Sequence, residues 1–479
     1  MKSKKPNILL FMTDQQHVET VGKSKLCRTP RIDALMEQSV VFSNAYTNCP
    51  MCTPARTSAM TGLHPHQHLI IQNAHSKMAF RNKLDPEVDT IGDAMQEQGY
   101  TTVQAGKWHI GDSQPQEHGF RHRLQLRSGP QDTGRTDRIL LQDRYGEHTI
   151  ASTQSFPAGE SEVFRLAESV NDWLDGYADE AAGEGEKQPF FMFASCIEPH
   201  VPWNVPEPYA SMYDPAELEE WDNYRDDYAG KPMTFAKHYY DVNFLRIRND
   251  WPMMAKALAK YYGMVTMIDD AFGLILDKLE ARGLLDDTII LFTSDHGEMM
   301  GRHGLIGKNE LLQDDLIRIP FLAYAKGQFP PRTVPHPLLL TDLFNTILEL
   351  AGGAAREQLD SLSFAPLLRG GDQPPRAEVV MQHHGATINL NVIRGIRTER
   401  YKYVFRPHEI DEFYDLAEDP WERNNRIGDP QVREVIWELR ERLLAWAKRT
   451  ADFAHDGMQR SFANPEAIEF QTEGRLVAE

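Results

Sequence analysis

The sequence predicts an α/β protein: a large, mostly parallel sheet flanked by helices on both faces, followed by a smaller C-terminal α+β domain. Three observations carry this. Short apolar runs at residues 7–12, 101–105, 189–197, 288–293 and 319–325 have the continuous hydrophobicity of parallel-sheet strands buried on both faces. Helical patterns lie between several of them, so strand and helix alternate. At 479 residues the chain exceeds the size at which a single core stops growing, which favours two domains.

In chain order, residues 7–12 form the first strand. Residues 40–46 are strand-like and lead through a turn with two prolines into a helix-compatible stretch at 56–60. A helix over 86–98 closes at Gly99 before the strand at 101–105. Residues 121–160 and the acidic, aromatic-rich 207–251 read as loops or insertions. The longest helical pattern, 254–282, places Leu258, Tyr261, Val265, Ile268, Phe272, Ile275 and Leu279 on one face and ends at Gly283. The stretch R-G-G-D-Q-P-P-R at 369–376 reads as a linker, dividing a large domain at 1–370 from a smaller one at 371–479. In the smaller part, strands are expected at 379–382, 389–396 and 401–405, then an amphipathic helix over 430–449. The last thirty or so residues carry little pattern and are expected to be a tail or a subunit-contact arm, which would make the chain a homo-oligomer.

The formal charge of −19 argues against a nucleic-acid or anionic-membrane partner, since those need a basic surface. An anionic substrate would need a local cluster of cations. Four cysteines are too few for a disulfide scaffold in this length. The apolar run at 8–12 is shorter than a signal-peptide core or a membrane span, so a cytoplasmic location is expected.

Ligands of open α/β sheets sit beyond the carboxyl ends of the strands. Asp14 and Gln15 follow the first apolar run; Lys107 and His109 follow the second; Glu198 and His200 follow the third; Asp295, His296 and Glu298 follow the fourth. Asp14, Asp295 and His296 are oxygen and nitrogen donors suited to a hard or borderline divalent cation.

The stretch N-C-P-M-C-T-P-A-R-T-S-A-M-T-G at residues 48–62 holds two overlapping patterns. Cys49 and Cys52 form a Cys-x-x-Cys pair, a redox or metal signal that would need a compact thioredoxin-like setting or a second ligand pair. The neighbouring His64, His66, His68 and His75 keep zinc open. Cys52 also begins a Cys-x-Pro-x-Arg pentapeptide. Near a helix N-terminus, a reactive group there would meet backbone N–H groups that favour an anion, and Arg56 adds a fork of donors suited to sulfate or phosphate. G-R-H-G-L-I-G-K at 301–308 imitates a phosphate loop, but its first glycine is one residue too far from the rest and Asn309 stands where Ser or Thr is needed.

Taken together, N-I-L-L-F-M-T-D, C-T-P-A-R-T-S-A-M-T-G, G-Y-T-T-V-Q-A-G-K-W-H-I-G, E-P-H-V-P-W, F-T-S-D-H-G-E and the C-terminal R-G-I-R-T-E-R-Y-K-Y resemble the formylglycine-dependent (type I) sulfatases of the alkaline phosphatase superfamily, in family order across most of the chain. The resemblance implies an alkaline-phosphatase-like sheet and a sulfuric ester hydrolase. It also implies that Cys52 is oxidised after translation to formylglycine by a separate generating enzyme. One hydroxyl of the hydrated aldehyde attacks sulfur and takes the group covalently; the other is deprotonated, and collapse to the aldehyde expels sulfate. By position, Asp14, Asp295, His296 and the Cys52-derived group would hold one divalent cation, with Gln15 where many members have a second aspartate. Arg56 and Lys107 would stabilise the hydrate, His109 would be the base, and His200 and Lys308 would serve the leaving-group side.

Gln15 and His296 depart from the commonest pattern toward the branch of choline sulfatases and phosphonate monoester hydrolases. Calcium is the expected cation, and manganese competes because imidazole suits borderline ions. The substrate is expected to be a small or carbohydrate-like sulfate ester. A phosphonate monoester or phosphodiester is the alternative on the same site, and a non-catalytic oxyanion-binding protein with a free thiol is a third reading. His383 and His384, and the loop with Trp221, Tyr224 and Arg225, are candidates for reaching over the pocket, or for packing alone.

Overall fold

The computed structural model describes residues 5–23, 26–73, 80–130, 134–143, 146–181, 187–237, 250–308, 310–385 and 390–463. Its strands are β1 (Asn7–Thr13), β2 (Val40–Phe42), β3 (Ala45–Tyr46), β4 (Thr101–Gly106), β5 (His122–Leu124), β6 (Arg135–Asp143), β7 (Gly146–Gln154), β8 (Phe190–Ser195) and β9 (Trp203–Pro206). They continue with β10 (Thr288–Ser294), β11 (Phe321–Tyr324), β12 (Arg332–Val334), β13 (Leu338–Leu339), β14 (Val379–His383), β15 (Ile393–Arg397), β16 (Tyr401–Phe405) and β17 (Glu412–Asp415).

Eight strands form one sheet in the order β12-β2-β11-β10-β1-β8-β4-β5. The run β10-β1-β8-β4-β5 is parallel throughout. The run at 319–325, expected in a parallel sheet, instead enters as β11, antiparallel to both β10 and β2. A continuous apolar run marks burial on two faces but carries no strand direction, so composition alone could not distinguish the two.

Side-chain alternation along β1 divides the core. Leu9 and Phe11 pack with Leu258, Val265, Phe272 and Ile275 of the helix Trp251–Ala281. Ile8, Leu10 and Met12 face Ala55 and Ala59 of the helix Cys52–Thr61 and Leu343 and Ile347 of the helix Asp342–Leu350. The sheet therefore lies between two helical layers, as expected. The long helix begins at Trp251 rather than 254, because the Asp250 side chain caps it by accepting from Met253 N. The helix expected over 86–98 begins only at Ile91, where Thr90 and Asp93 form a capping box.

Of the two stretches read as loops, 121–160 is built differently, whereas 207–251 keeps a loop's character as far as residue 237, and 238–249 lie outside the described residues. Residues 121–160 contain β5 and the β6-β7 hairpin, and β7 pairs in parallel with β9. The mixed charges of Arg135 to Arg138 hid this hairpin from a hydrophobicity reading. Within 207–237 there are only short helical turns and the helix Met233–Lys237.

The C-terminal strands β14-β15-β16-β17 form an antiparallel sheet. The helix Arg433–Arg449 lays Ile436, Leu439, Leu443 and Trp446 into a cluster with Tyr403 and Phe413. β17 was not anticipated, β15 starts at Ile393 rather than 389, and the stretch read as a patternless tail opens with the helix His455–Phe462, whose Met458 and Phe462 are buried. Residues 464–479, where a subunit arm was expected, lie outside the described residues. Among the described residues no helix is long and apolar enough to cross a membrane.

Candidate active site

Four parallel neighbours end at one sheet edge in register: Thr13 pairs with Ser294, Met12 with Ser195, and Gly106 with Ser195. The residues that follow are therefore delivered side by side. Asp14 leaves β1, Asp295 and His296 leave β10, Lys107 and His109 leave β4, and His200 leaves β8 by way of the turn after Cys196. Gly106 makes the turn into Lys107 at φ 74°, where a Cβ would stand 2.1 Å from the Ser195 carbonyl oxygen. Cys52 arrives from the other direction as the first residue of the helix Cys52–Thr61, whose N-cap Met51 offers no side-chain acceptor. The dipole of that helix favours negative charge at residue 52, although its Thr53 N–H is taken by Asn73 Oδ1 at 3.1 Å and Pro54 has none to offer.

Asp14, Cys52, Asp295 and His296 each aim one donor atom into a common centre, all four within 4.8 Å of one another and all buried. Cys52 Sγ is 3.3 Å from His296 Nε2 and 3.6 Å from Asp14 Oδ1. His296 Nδ1 is 2.9 Å from the Gly297 carbonyl oxygen, which can only accept, so Nδ1 carries the proton and Nε2 faces the centre. This arrangement fits a divalent cation: two carboxylates and a pre-oriented imidazole, taken out of water, need positive charge between them.

Fixed cations surround the carboxylates. Arg56, fully buried, donates from Nε to Asp295 Oδ2 at 2.7 Å, from Nη2 to Asp14 Oδ2 at 3.1 Å and from Nη1 to Ser195 Oγ at 2.7 Å. Its donors are thus spent on the carboxylates, whereas the pentapeptide alone suggested a fork facing an incoming anion. Lys107 Nζ ion-pairs with Asp14 Oδ2. Burial pushes the Asp14 carboxyl up, but Lys107, His200 and Arg56 outweigh it and hold the group ionised. Burial and the Asp14 charge push Asp295 up instead. Burial would likewise raise the Cys52 thiol, yet Lys308, Lys107, His296 and a hydrogen bond to His109 pull it well below its ordinary value. Burial dominates at His109 and lowers its pKa, leaving a neutral imidazole beside residue 52.

Lys308 completes the site from the turn after β10. Its Nζ donates to Cys52 Sγ and to Gln15 Oε1, each at 2.9 Å, and to His200 Nε2 at 2.7 Å. His200 Nδ1 donates to the Val201 carbonyl, so Nε2 is the lone-pair nitrogen that receives Lys308.

A sequence-family model described as Sulfatase matches residues 6–354. The chain belongs to the sulfatase family. A second model, described as N-sulphoglucosamine sulphohydrolase, C-terminal, matches residues 301–449. Among curated relatives of this sulfatase, an ulvan-active sulfatase of Formosa agariphila is 26% identical over 92% of this chain and 80% of its own. A choline-sulfatase of Rhizobium meliloti is 27% identical over 90% and 84%. The phosphonate monoester hydrolase of Agrobacterium radiobacter shares the fold, with a TM-score of 0.77, 23% identity, and coverage of 94% of this chain and 97% of that one.

The sulfatase site gathers Asp14, Gln15, Cys52, Arg56, Lys107, His109, His200, Asp295, His296 and Lys308, the whole set expected from sequence. Among the described residues the geometry gathers no partner set for the redox or zinc readings. Cys49 is a buried free thiol raised by burial. The ring nitrogens of His64, His66 and His68 are committed to Asp360, Asn48, Thr450, Gln382, Ser58 and the Ile70 N–H. His75 lies outside the described residues. In the glycine run at 301–308 the Gly307 N–H donates to Glu298 Oε1, so it is engaged within the protein rather than turned outward as in a nucleotide loop.

Trp221 donates to the Met300 carbonyl at 2.7 Å and Tyr224 is buried against Trp251, so both pack the loop, while Arg225 pairs with Glu220. His383 and His384 are buried at the end of β14, and His296 contributes to the field at His383. Sequence reasoning assigned no role to Ser195, Glu298 or Asn73. Glu298 sits in the conspicuous D-H-G-E run, a usable signal, while nothing in sequence separates Ser195 or Asn73 from neighbours of the same kind. Asn73 Oδ1 accepts from Thr53 N at the start of the Cys52–Thr61 helix.

Proposed function

We propose that this sulfatase cleaves a small or carbohydrate-like sulfate ester with a formylglycine formed from Cys52. The observation that carries the reading is the place of Cys52: first residue of the helix Cys52–Thr61, inside the Asp14, Asp295 and His296 cluster, and in contact with Lys308. Asp14, Asp295, His296 and residue 52 would hold one divalent cation. When bound, it supplies positive charge that acidifies a hydroxyl on residue 52 and offsets charge on the sulfuryl oxygens. Arg56 holds both carboxylates in place and, with Lys107, keeps Asp14 ionised. His109, held neutral, takes the proton released when the covalent intermediate collapses. Lys308 and His200 share a proton across 2.7 Å and face the side on which an oxygen departs, so the pair offers it charge and a proton.

Calcium is the first choice of cation and manganese the competitor, on the strength of the His296 imidazole. Gln15 is a candidate further ligand through Oε1, which accepts from Lys308 and keeps a second lone pair. Beside the converted Cys52, the free, buried thiols of Cys27, Cys49 and Cys196 suit a reducing compartment such as the cytoplasm. A division of the chain near residue 370 is supported by the separate apolar cluster built from residues 380–462. The neutral Gln15 and the imidazole of His296 favour a second reading, phosphonate monoester or phosphodiester hydrolysis on the same groups.

The deciding experiment is the mass of the peptide containing residue 52, from protein made together with a formylglycine-generating enzyme, paired with rates on a sulfate monoester and a phosphonate monoester and with metal analysis. An aldehyde and faster sulfate turnover support the first reading. An aldehyde with a strong phosphonate preference selects the second, and an intact thiol sinks both.

A further inference from the structure

Glu298 is fully buried, and among the described residues its carboxylate hydrogen-bonds neutral groups alone. Its Oε1 accepts from the backbone N–H groups of Gly307, at 2.5 Å, and Met300, at 3.2 Å. Its other oxygen accepts from Gln15 Nε2. A carboxylate can only accept and an ammonium can only donate, so the Gln15 amide between Glu298 and Lys308 has one orientation: nitrogen toward Glu298, oxygen toward Lys308. The Gln15 backbone is pinned as well, at φ 65°, with its N–H on Asp295 Oδ1 at 3.0 Å and its carbonyl accepting from Tyr261 Oη at 3.1 Å.

We propose that Glu298 is a positioning residue that fixes Lys308 twice over, by clamping the 299–307 turn that carries the lysine and by polarising the Gln15 amide against its ammonium. The relay Glu298–Gln15–Lys308 then sets where the lysine meets the departing oxygen. The proposal rests on the reading of Lys308 as a leaving-group residue. It also gives the neutral amide at position 15 a task that a carboxylate there would not need.

The polarity of the relay supplies the test. In Glu298→Gln the Oε1 contacts to the turn persist, but Nε2 now confronts Gln15 Nε2. Turning the Gln15 amide over only moves the donor-to-donor conflict to Lys308. Adding Gln15→Glu removes it, because a carboxylate at 15 accepts from both sides and total charge is unchanged. Matured protein and both variants are compared on a series of aryl sulfates whose leaving groups span a range of acidity, with cation content and Tm measured alongside.

The expected result for E298Q is a loss of about 100-fold in kcat/KM on the least acidic leaving group, a much smaller loss on the most acidic one, and unchanged cation content. The Q15E/E298Q variant should return the dependence on leaving group to that of the unaltered protein, even if its Tm is lower. Equal losses on all esters in E298Q, loss of the cation, or no recovery in the double variant would overturn the proposal alone. Matured protein inactive on every sulfate ester would overturn the leaving-group reading beneath it.

Discussion

Arg56 divides its donors among Asp14, Asp295 and Ser195 with no exposure to water. A lysine in its place keeps the charge but has one nitrogen and cannot span both carboxylates. Arg56→Lys should therefore destabilise the fold by about 2 kcal/mol, the worth of a lost hydrogen bond to a charged group, and lower turnover at saturating substrate; denaturant unfolding and steady-state rates check the two effects. The same residue marks the limit of sequence reading at this scale. Its presence in the site was legible from the pentapeptide, but its direction was not, because two carboxylates from β1 and β10 reach it only after the strands pair in register. Asp14, Lys107, Asp295 and His296 were legible because each directly follows a buried apolar run. Glu298 was visible in the same motif, but its partner Gln15 is 283 residues away in sequence, and no local pattern joins them.

Between elements, Asp360 ties the histidine turn to the C-terminal helix Arg433–Arg449. Its carboxylate accepts from His64 Nε2 and Trp446 Nε1, each at 3.0 Å, and pairs with Arg449. Burial pushes Asp360 up, but His64 and Arg449 outweigh it and hold its pKa below the ordinary value. A depressed carboxylate stabilises the fold fully above its unfolded pKa of about 4; the contribution begins to fall there and is lost only as pH drops through the much lower folded value. Asp360→Asn should cost about 1 to 2 kcal/mol at pH 7, with the Tm curves of the two proteins parallel above about pH 5 and starting to converge only below about pH 4. A variant curve that stays parallel to the parent's would remove Asp360 from this role. Helices with a strong apolar stripe, such as Trp251–Ala281, were readable from periodicity. The β6-β7 hairpin and β17 were not, because short strands with charged or mixed faces gain their burial from partners distant in sequence.

For the molecule as a whole, a formal charge of −19 surrounds a site that gathers Arg56, Lys107 and Lys308. The long-range field repels anions while the local one attracts them, and salt screens the first more than the buried second. Raising ionic strength should thus lower KM for a polysulfated oligosaccharide and leave a zwitterionic sulfate ester nearly unaffected, which a salt series on both substrates would read directly. The architecture was legible at this scale from the alternation of strand and helix, apart from the reversed β11. Burial of residue 52 also places chemistry and folding in a fixed order. Its side chain is 1% exposed, between a helix and four strand ends. A catalyst that oxidises this thiol needs the surrounding chain in its grasp, and the closed protein offers it no handle. On the proposed formylglycine reading, conversion would have to precede closure, and a molecule that closed first would keep its sulfur intact. Purified thiol-form protein incubated with the generating enzyme should stay unconverted while folded and gain the aldehyde only when unfolded first, as the mass of the peptide would record.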